Sequence, residues 1–213
     1  MMRMKVDKLL IISTIICLLP IILSLIMYDK LPDTMPIHWD IKGNPDNYGS
    51  KFFAVIGLPL MMAGLNLITH FALNTDPKRA NPSIVLKVIG KLTIPFMTVT
   101  LVPITIFAGL GYDIPIEKIV PAFVGLLFIV IGNYLPKSKQ NYTVGIKLPW
   151  TLNNETNWNK THRLAGYLWM IGGVLMFVNS FLKIYWTHVF FSIILCMVFI
   201  PAIYSYILYK NGL

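Results

Sequence analysis

Charge is what this sequence has least of. Only 13% of its 213 residues are Asp, Glu, Lys or Arg, against 56% hydrophobic. That ratio leaves too little polar surface to cover a soluble globule, so a water-soluble fold of ordinary composition is excluded. Cysteine is scarce as well. Cys17 and Cys196 have no CxxC partner, which argues against a disulfide framework or a thiolate metal site, and both read as small apolar packing residues. There is no HExxH motif for a zinc hydrolase and no recognisable nucleic-acid-binding motif.

The few charges are also unevenly placed. Six windows, 9–28, 52–75, 92–112, 119–136, 164–182 and 184–209, contain none at all and run from 18 to 26 residues. A charged side chain at a helix centre costs about 2.5–3.5 kcal/mol to insert. A helix needs roughly 20 residues to cross a hydrocarbon core about 30 Å thick. Each window is long enough to span, and the sequence predicts an all-α membrane protein with about six transmembrane helices. Pro95, Pro103 and Pro121 are expected to bend or delimit theirs, because proline lacks an N–H donor. Arg3, Lys5 and Lys8 precede the first window, which is long and has no small-x-small cleavage site after it; a retained first span is expected rather than a removed signal.

Orientation follows from Lys and Arg. Placing the N-terminus inside puts 13 of the 18 basic residues in cytoplasmic segments and 5 outside, which predicts an N-in/C-in topology. The same bias accounts for the net charge of +9. Anionic headgroups of the lipid bilayer are the expected partners of these loops, and direct nucleic-acid binding is not expected. The segment 76–91, with Asn81-Pro82 and four basic residues, reads as a turn and inner-leaflet anchor. Gly57, Gly64, Gly172 and Gly173 permit close helix packing.

Two connections are long and chemically rich: an external loop, 29–51, and a cytoplasmic loop, 137–163. They suggest a division into an N-terminal module, 1–75, with two spans, and a second region, 76–213, with four. Each loop follows the first span of three, and Lys30-Leu31-Pro32-Asp33-Thr34 corresponds to Lys147-Leu148-Pro149-Trp150-Thr151 at four of five positions. A 3+3 inverted arrangement would account for this. Chance likeness between Pro-containing loops is the simpler explanation.

In the external loop, Pro, Gly and Asn specify turns, and 37–39 reads as a short extended run. His38, Trp39, Asp40, Asp46 and Tyr48 are its candidate contact residues. A histidine beside two aspartates has metal-binding chemistry, but a metal site needs three or four ligands, so no metal or cofactor is expected. Trp39 and Tyr48 also suit headgroup depth. In the cytoplasmic loop, Thr151 or Asn154 can cap a helix that starts near Glu155 and continues into the fifth span. On it Glu155, Asn159, His162, Arg163 and Gly166 share a face by three- and four-residue spacing, with Trp158 a turn before His162. With Lys147 and Trp150 these form either a cytoplasmic docking surface or a snorkelling collar at the headgroups, and the spacing alone does not choose.

The pieces Gly132-Asn133-Tyr134-Leu135-Pro136-Lys137, Asn141-Tyr142-Thr143-Val144-Gly145-Ile146, Pro149-Trp150-Thr151-Leu152 and Trp158-Asn159-Lys160-Thr161-His162-Arg163-Leu164-Ala165-Gly166 resemble the Sdp immunity protein family of Gram-positive bacteria. The external Leu31-Pro32-Asp33, Pro36, His38-Trp39 and Gly43-to-Lys51 pattern resembles an uncharacterised module often found at the N-terminal end of such proteins. The resemblance implies a multi-pass protein of the bacterial plasma membrane that protects the cell against a secreted, membrane-active killing peptide. It also implies a signalling branch, in which the toxin-engaged protein holds a cytoplasmic transcriptional repressor at the membrane. It supplies no catalytic residue, and no enzymatic activity is expected. A small transporter or exporter is the alternative, although the charge-free windows offer no ionisable Asp, Glu, Lys or Arg at the midplane.

Overall fold

The computed structural model describes residues 8–78 and 80–213; Arg3, Lys5 and Arg79, counted above among the inner-face cations, lie outside the described residues. Its elements are α1 (Lys8–Ile26), β1 (Thr34–Trp39), β2 (Pro45–Ser50), α2 (Leu58–Thr75), α3 (Ile84–Gly109), α4 (Ile116–Tyr134), α5 (Pro149–Asn153), α6 (Glu155–Leu182) and α7 (Trp186–Lys210). A π-helical turn, Phe53–Gly57, leads into α2. Six of these helices are long and apolar enough to cross a membrane, at 19 to 28 residues each with their flanking turns. The fold is an all-α multi-pass membrane architecture carrying one small hairpin.

The first span buries small and polar residues. On α1, Ser13, Cys17, Pro20 and Ser24 are buried, a stripe with spacings of four, three and four, while Ile11, Ile15 and Ile22 are exposed. Lipid takes the apolar side, so burial is free to go to small and polar groups. Proline does not delimit the helices: α3 runs on through Pro95 and Pro103, and Pro121 lies inside α4, which begins at Ile116 rather than Ile119. Cys17 is buried as a packing residue should be, with Thr98 Oγ1 3.8 Å from its sulfur, but Cys196 is exposed on α7.

The chain forms two compact units, the first built from 8–72 and 89–116. In it the antiparallel hairpin β1–β2 pairs Thr34 with Ser50 and Met35 with Gly49, with irregularities around His38. The hairpin is rooted by Met35, which is fully buried with Leu31, Ala54, Val55, Val102 and Ile106. Gly109 faces the Met35 thioether so closely that a Cβ there would overlap its sulfur and methyl.

The second unit comprises 73–88 and 117–213. Here α4 and α6 touch backbone to backbone along a glycine seam. A Cβ on Gly132 would lie 2.8 Å from Gly166 O, and one on Gly125 would lie 2.7 Å from Gly173 O, so the two contacts repeat every seven residues in opposite chain directions. Of the glycines singled out earlier, Gly173 belongs to this seam and Gly172 meets Met197 of α7, whereas Gly57 faces its own neighbour Phe53 and Gly64 faces open space. Helices α6 and α7 form a tight hairpin turned by Lys183 (φ 55°) and Tyr185 (φ 40°), with the Asn179 amide bonded both ways to Ile184.

Candidate functional site

In the first unit the hairpin carries the residues expected to make contacts. The 37–39 run is part of β1, as the extended reading requires. Asp40 shapes the turn: its carboxylate accepts the N–H groups of Lys42 and Asn44 at 2.8 and 2.9 Å, and Gly43 sits at φ 87°. The backbone N–H of Asn44 is the main reason that the Asp40 carboxyl is held below its ordinary pKa. His38 Nδ1 and Asp46 Oδ1 lie 2.5 Å apart across the strands, both exposed. Tyr48 is exposed and Trp39 half-buried. His38, Trp39 and Tyr48 thus sit on a rooted hairpin whose turn is shaped by Asp40, while Asp46 pairs with His38 at its surface.

The first unit also holds a polar cluster within the spans. Ser13, Asn66 and His70 are all buried. Ser13 Oγ accepts Asn66 Nδ2 at 2.9 Å and lies 3.1 Å from both Leu10 O and His70 Nε2. These bonds form a clasp between α1 and α2 within the spans. Sequence reading missed it because its partners lie more than fifty residues apart.

In the second unit the 137–163 connection is folded into a knot around buried polar groups. Asn154 is the cap of α6, accepting the Asn157 N–H at 2.9 Å. Thr151 instead braces the loop before it, bonding Ile146 O, Leu148 O and Leu148 N. Trp158 and His162 have no exposed surface. Their rings stack with centroids 3.9 Å apart, the indole N–H donates to Ser138 O at 2.7 Å, and His162 Nε2 accepts the Ile146 N–H at 2.9 Å. His162 Nδ1 lies 2.8 Å from Trp158 O, so it must carry the ring proton. Gly145 (φ 127°) lies directly against this pair; a side chain there would strike His162 Nε2 and the Trp158 ring.

The stripe read from helical spacing therefore divides. Glu155, Asn159 and Arg163 are exposed, at four-residue steps, while His162 and Gly166 turn inward with Trp158. The reason is the loop itself, which folds back onto one edge of the stripe. Lys147 is exposed, and Trp150 is half-buried, stacked on Tyr209 and edge-on to Tyr206.

Asp76 was absent from the sequence candidates, yet it fastens the knot from the far side. It is buried, and its carboxylate accepts Lys78 N at 2.7 Å, Thr143 Oγ1 at 2.8 Å and Tyr142 N at 3.0 Å. Burial pushes its pKa upward, but these bonds and the Thr143 N–H outweigh burial and hold it below the ordinary carboxylate value. Asn81 Nδ2 donates to Gln140 O, and the Gln140 amide in turn donates to Thr151 O and Leu152 O at the end of α5. The segment 76–81 is thus a structural partner of the loop as well as a turn. Its sequence signal was a lone acid placed immediately after an apolar span.

Among the described residues no three His, Cys, Asp or Glu side chains gather in metal-binding geometry. Chemically, the knot is a network of hydrogen bonds that fixes a loop, and the hairpin exposes His38 and Tyr48. Both regions fall within matches to known sequences. The model of the SdpI/YfhL protein family matches residues 137–207, which include the whole 137–163 loop, α6 and most of α7. The model of a domain of unknown function (DUF1648) matches 15–63, which include the whole hairpin. The chain is also 30% identical over 203 residues to Immunity protein SdpI of Bacillus subtilis (strain 168), covering 94% of this chain and 96% of that protein. The chain belongs to the SdpI/YfhL protein family. As a member of it, with six spanning helices, it is a multi-pass bacterial membrane protein. No solved structure matches it.

Proposed function

We propose that this protein confers immunity to a secreted, membrane-active killing peptide. The observation that carries the reading is the end-to-end likeness to an immunity protein, which includes both the hairpin and the knot. In this reading the N-terminus and C-terminus are cytoplasmic, and the labour divides between segments 1–75 and 76–213. The hairpin faces outward and meets the peptide through His38, Trp39 and Tyr48. An amphipathic peptide would be met by a strand pair that carries His38, Trp39 and Tyr48, positioned by Met35 in the core below it. On the cytoplasmic side, Lys147, Glu155 and Lys160 form the exposed edge of a fixed loop, a surface suited to holding a small repressor protein. Trp158 and His162 support that surface from inside rather than touching a partner.

The test is survival. Expressed in a sensitive bacterium that lacks immunity proteins, the native chain should protect against a purified killing peptide of the Sdp type. Trp39→Ala and Tyr48→Ala should reach the membrane in native amounts and protect less. No protection from well-inserted native protein would overturn the proposal.

Transport is the second reading. It draws on the Ser13, Asn66 and His70 cluster, the kind of polar group that a substrate path would need within the spans. Uptake or efflux by purified protein in liposomes, lost in His70→Ala, would support it over immunity.

A further inference from the structure

An open cleft of about 430 Å³ lies beside the glycine seam in the second unit. The end of α4 supplies one wall with Asn133 and Lys137, and α6 supplies the other with Asn159, Arg163, Tyr167 and Met170. Each of its polar side chains can donate a hydrogen bond, and its only full charges are positive. Two cations line it and no carboxylate does, and the side chains of Asn133, Asn159 and Arg163 make no hydrogen bond or ion pair among the described residues. Lys137 is turned over the Tyr134 ring, 4.5 Å from its centroid, which leaves its charge uncompensated by any anion.

The cleft is also graded along the helix. Arg163, Tyr167 and Met170 follow one another at four and three residues, so one stripe runs from guanidinium to thioether over about 10 Å. The charge-free windows 119–136 and 164–182 end and begin at this level, which puts Lys137 and Arg163 at headgroup depth and Met170 within the hydrocarbon. A soluble anion would need only the donors. A phospholipid needs both ends, with a phosphodiester matched to the guanidinium fork and glycerol and first methylenes laid on Tyr167 and Met170.

We infer that this cleft is a binding site for one anionic phospholipid, with Arg163 as its phosphate ligand and Asn133, Lys137 and Asn159 as supporting donors. The site stands independently of the immunity reading. It turns the exposed edge of the α6 stripe from a general collar into a site with a stoichiometry.

Native mass spectrometry of the detergent-purified protein, titrated with phosphatidylglycerol, tests it. One lipid per chain should bind in preference to phosphatidylcholine. Arg163→Ala should weaken it by about tenfold, the loss expected for a charge-assisted hydrogen bond. Asn133→Asp, which puts a negative charge into the cleft, should weaken it comparably. Lys147→Ala removes an exposed charge that does not line the cleft and should leave binding unchanged. Equal binding of phosphatidylcholine, or an equal loss in Lys147→Ala, would reduce the effect to diffuse attraction and overturn the site. Full competition by inorganic phosphate at matched concentration would assign the cleft to a soluble anion and overturn the lipid.

Discussion

The hairpin and the knot are two loops of similar length that solve the same problem in opposite ways. Each must satisfy the backbone of a long polar connection between apolar spans. The hairpin does so with a strand ladder, β1 against β2, and so its side chains are left over for display. The knot has no ladder. Its backbone groups are met by side chains of Asp76, Gln140, Asn141, Thr151, Trp158 and His162, which are spent in the process. Even the shared pentapeptide goes two ways: 30–34 leaves a short 3-10 turn for β1, whereas 147–151 starts α5. Exposed hairpin side chains such as His38 and Tyr48 are therefore open to change at low structural cost, whereas the buried Met35 and the turn residue Asp40 are not. Nor are the side chains spent in the knot.

The sharpest way to break that contrast is Trp158→Ala. Loss of a fully buried indole costs about 3–5 kcal/mol, and Ser138 O loses its donor. Thermal melting in detergent should show the largest fall of any change considered, with new protease cleavage between 138 and 148. An unchanged melt would mean that the knot is not cooperative with the helices.

Next in size is Gly145→Ala. It combines a positive φ with overlap onto His162, and about 1–3 kcal/mol of strain is expected. The loop should lose protection in hydrogen exchange while α7 keeps its own.

Asp76→Asn turns one of the two accepting oxygens into an NH2 group, so at least one of the three donors loses its acceptor, at about 1–3 kcal/mol. Its pH dependence carries a definite sign. The folded-state pKa lies below the unfolded value of about 3.9, so the carboxylate stabilises the fold above that value, and this contribution is lost as pH falls through the lowered one. The gap in melting temperature between native and Asp76→Asn protein should be full at neutral pH and shrink on acidification. A gap that widens instead would show that Asp76 is not held as the carboxylate.

The spans could be read from sequence because charge in hydrocarbon is so costly that its absence over 18 or more residues leaves few alternatives. The loops could not be read as fully. Helical spacing put Glu155, Asn159, His162 and Arg163 on one stripe, but a stripe has two edges, and only the returning loop decides which is covered. Asp76 was passed over because its partners, Tyr142 and Thr143, are 66 and 67 residues away. The hairpin was seen as turns plus an extended run because the His38 and Trp39 pairings are irregular and break strict alternation.

The smallest structural effect is expected in the hairpin, from Asp46→Asn. The His38–Asp46 pair is exposed on both sides, and such pairs contribute about 0–1 kcal/mol. The ladder, the Asp40 turn and the buried Met35 all remain, so the melt should barely move. Removing the carboxylate frees the His38 ring and changes the charge of the displayed edge without unfolding it. If the hairpin is the surface that meets the peptide, survival under challenge should change while stability does not. If both fall together, the pair is holding the hairpin in register, and the contrast between a display loop and a structural knot fails at its simplest point.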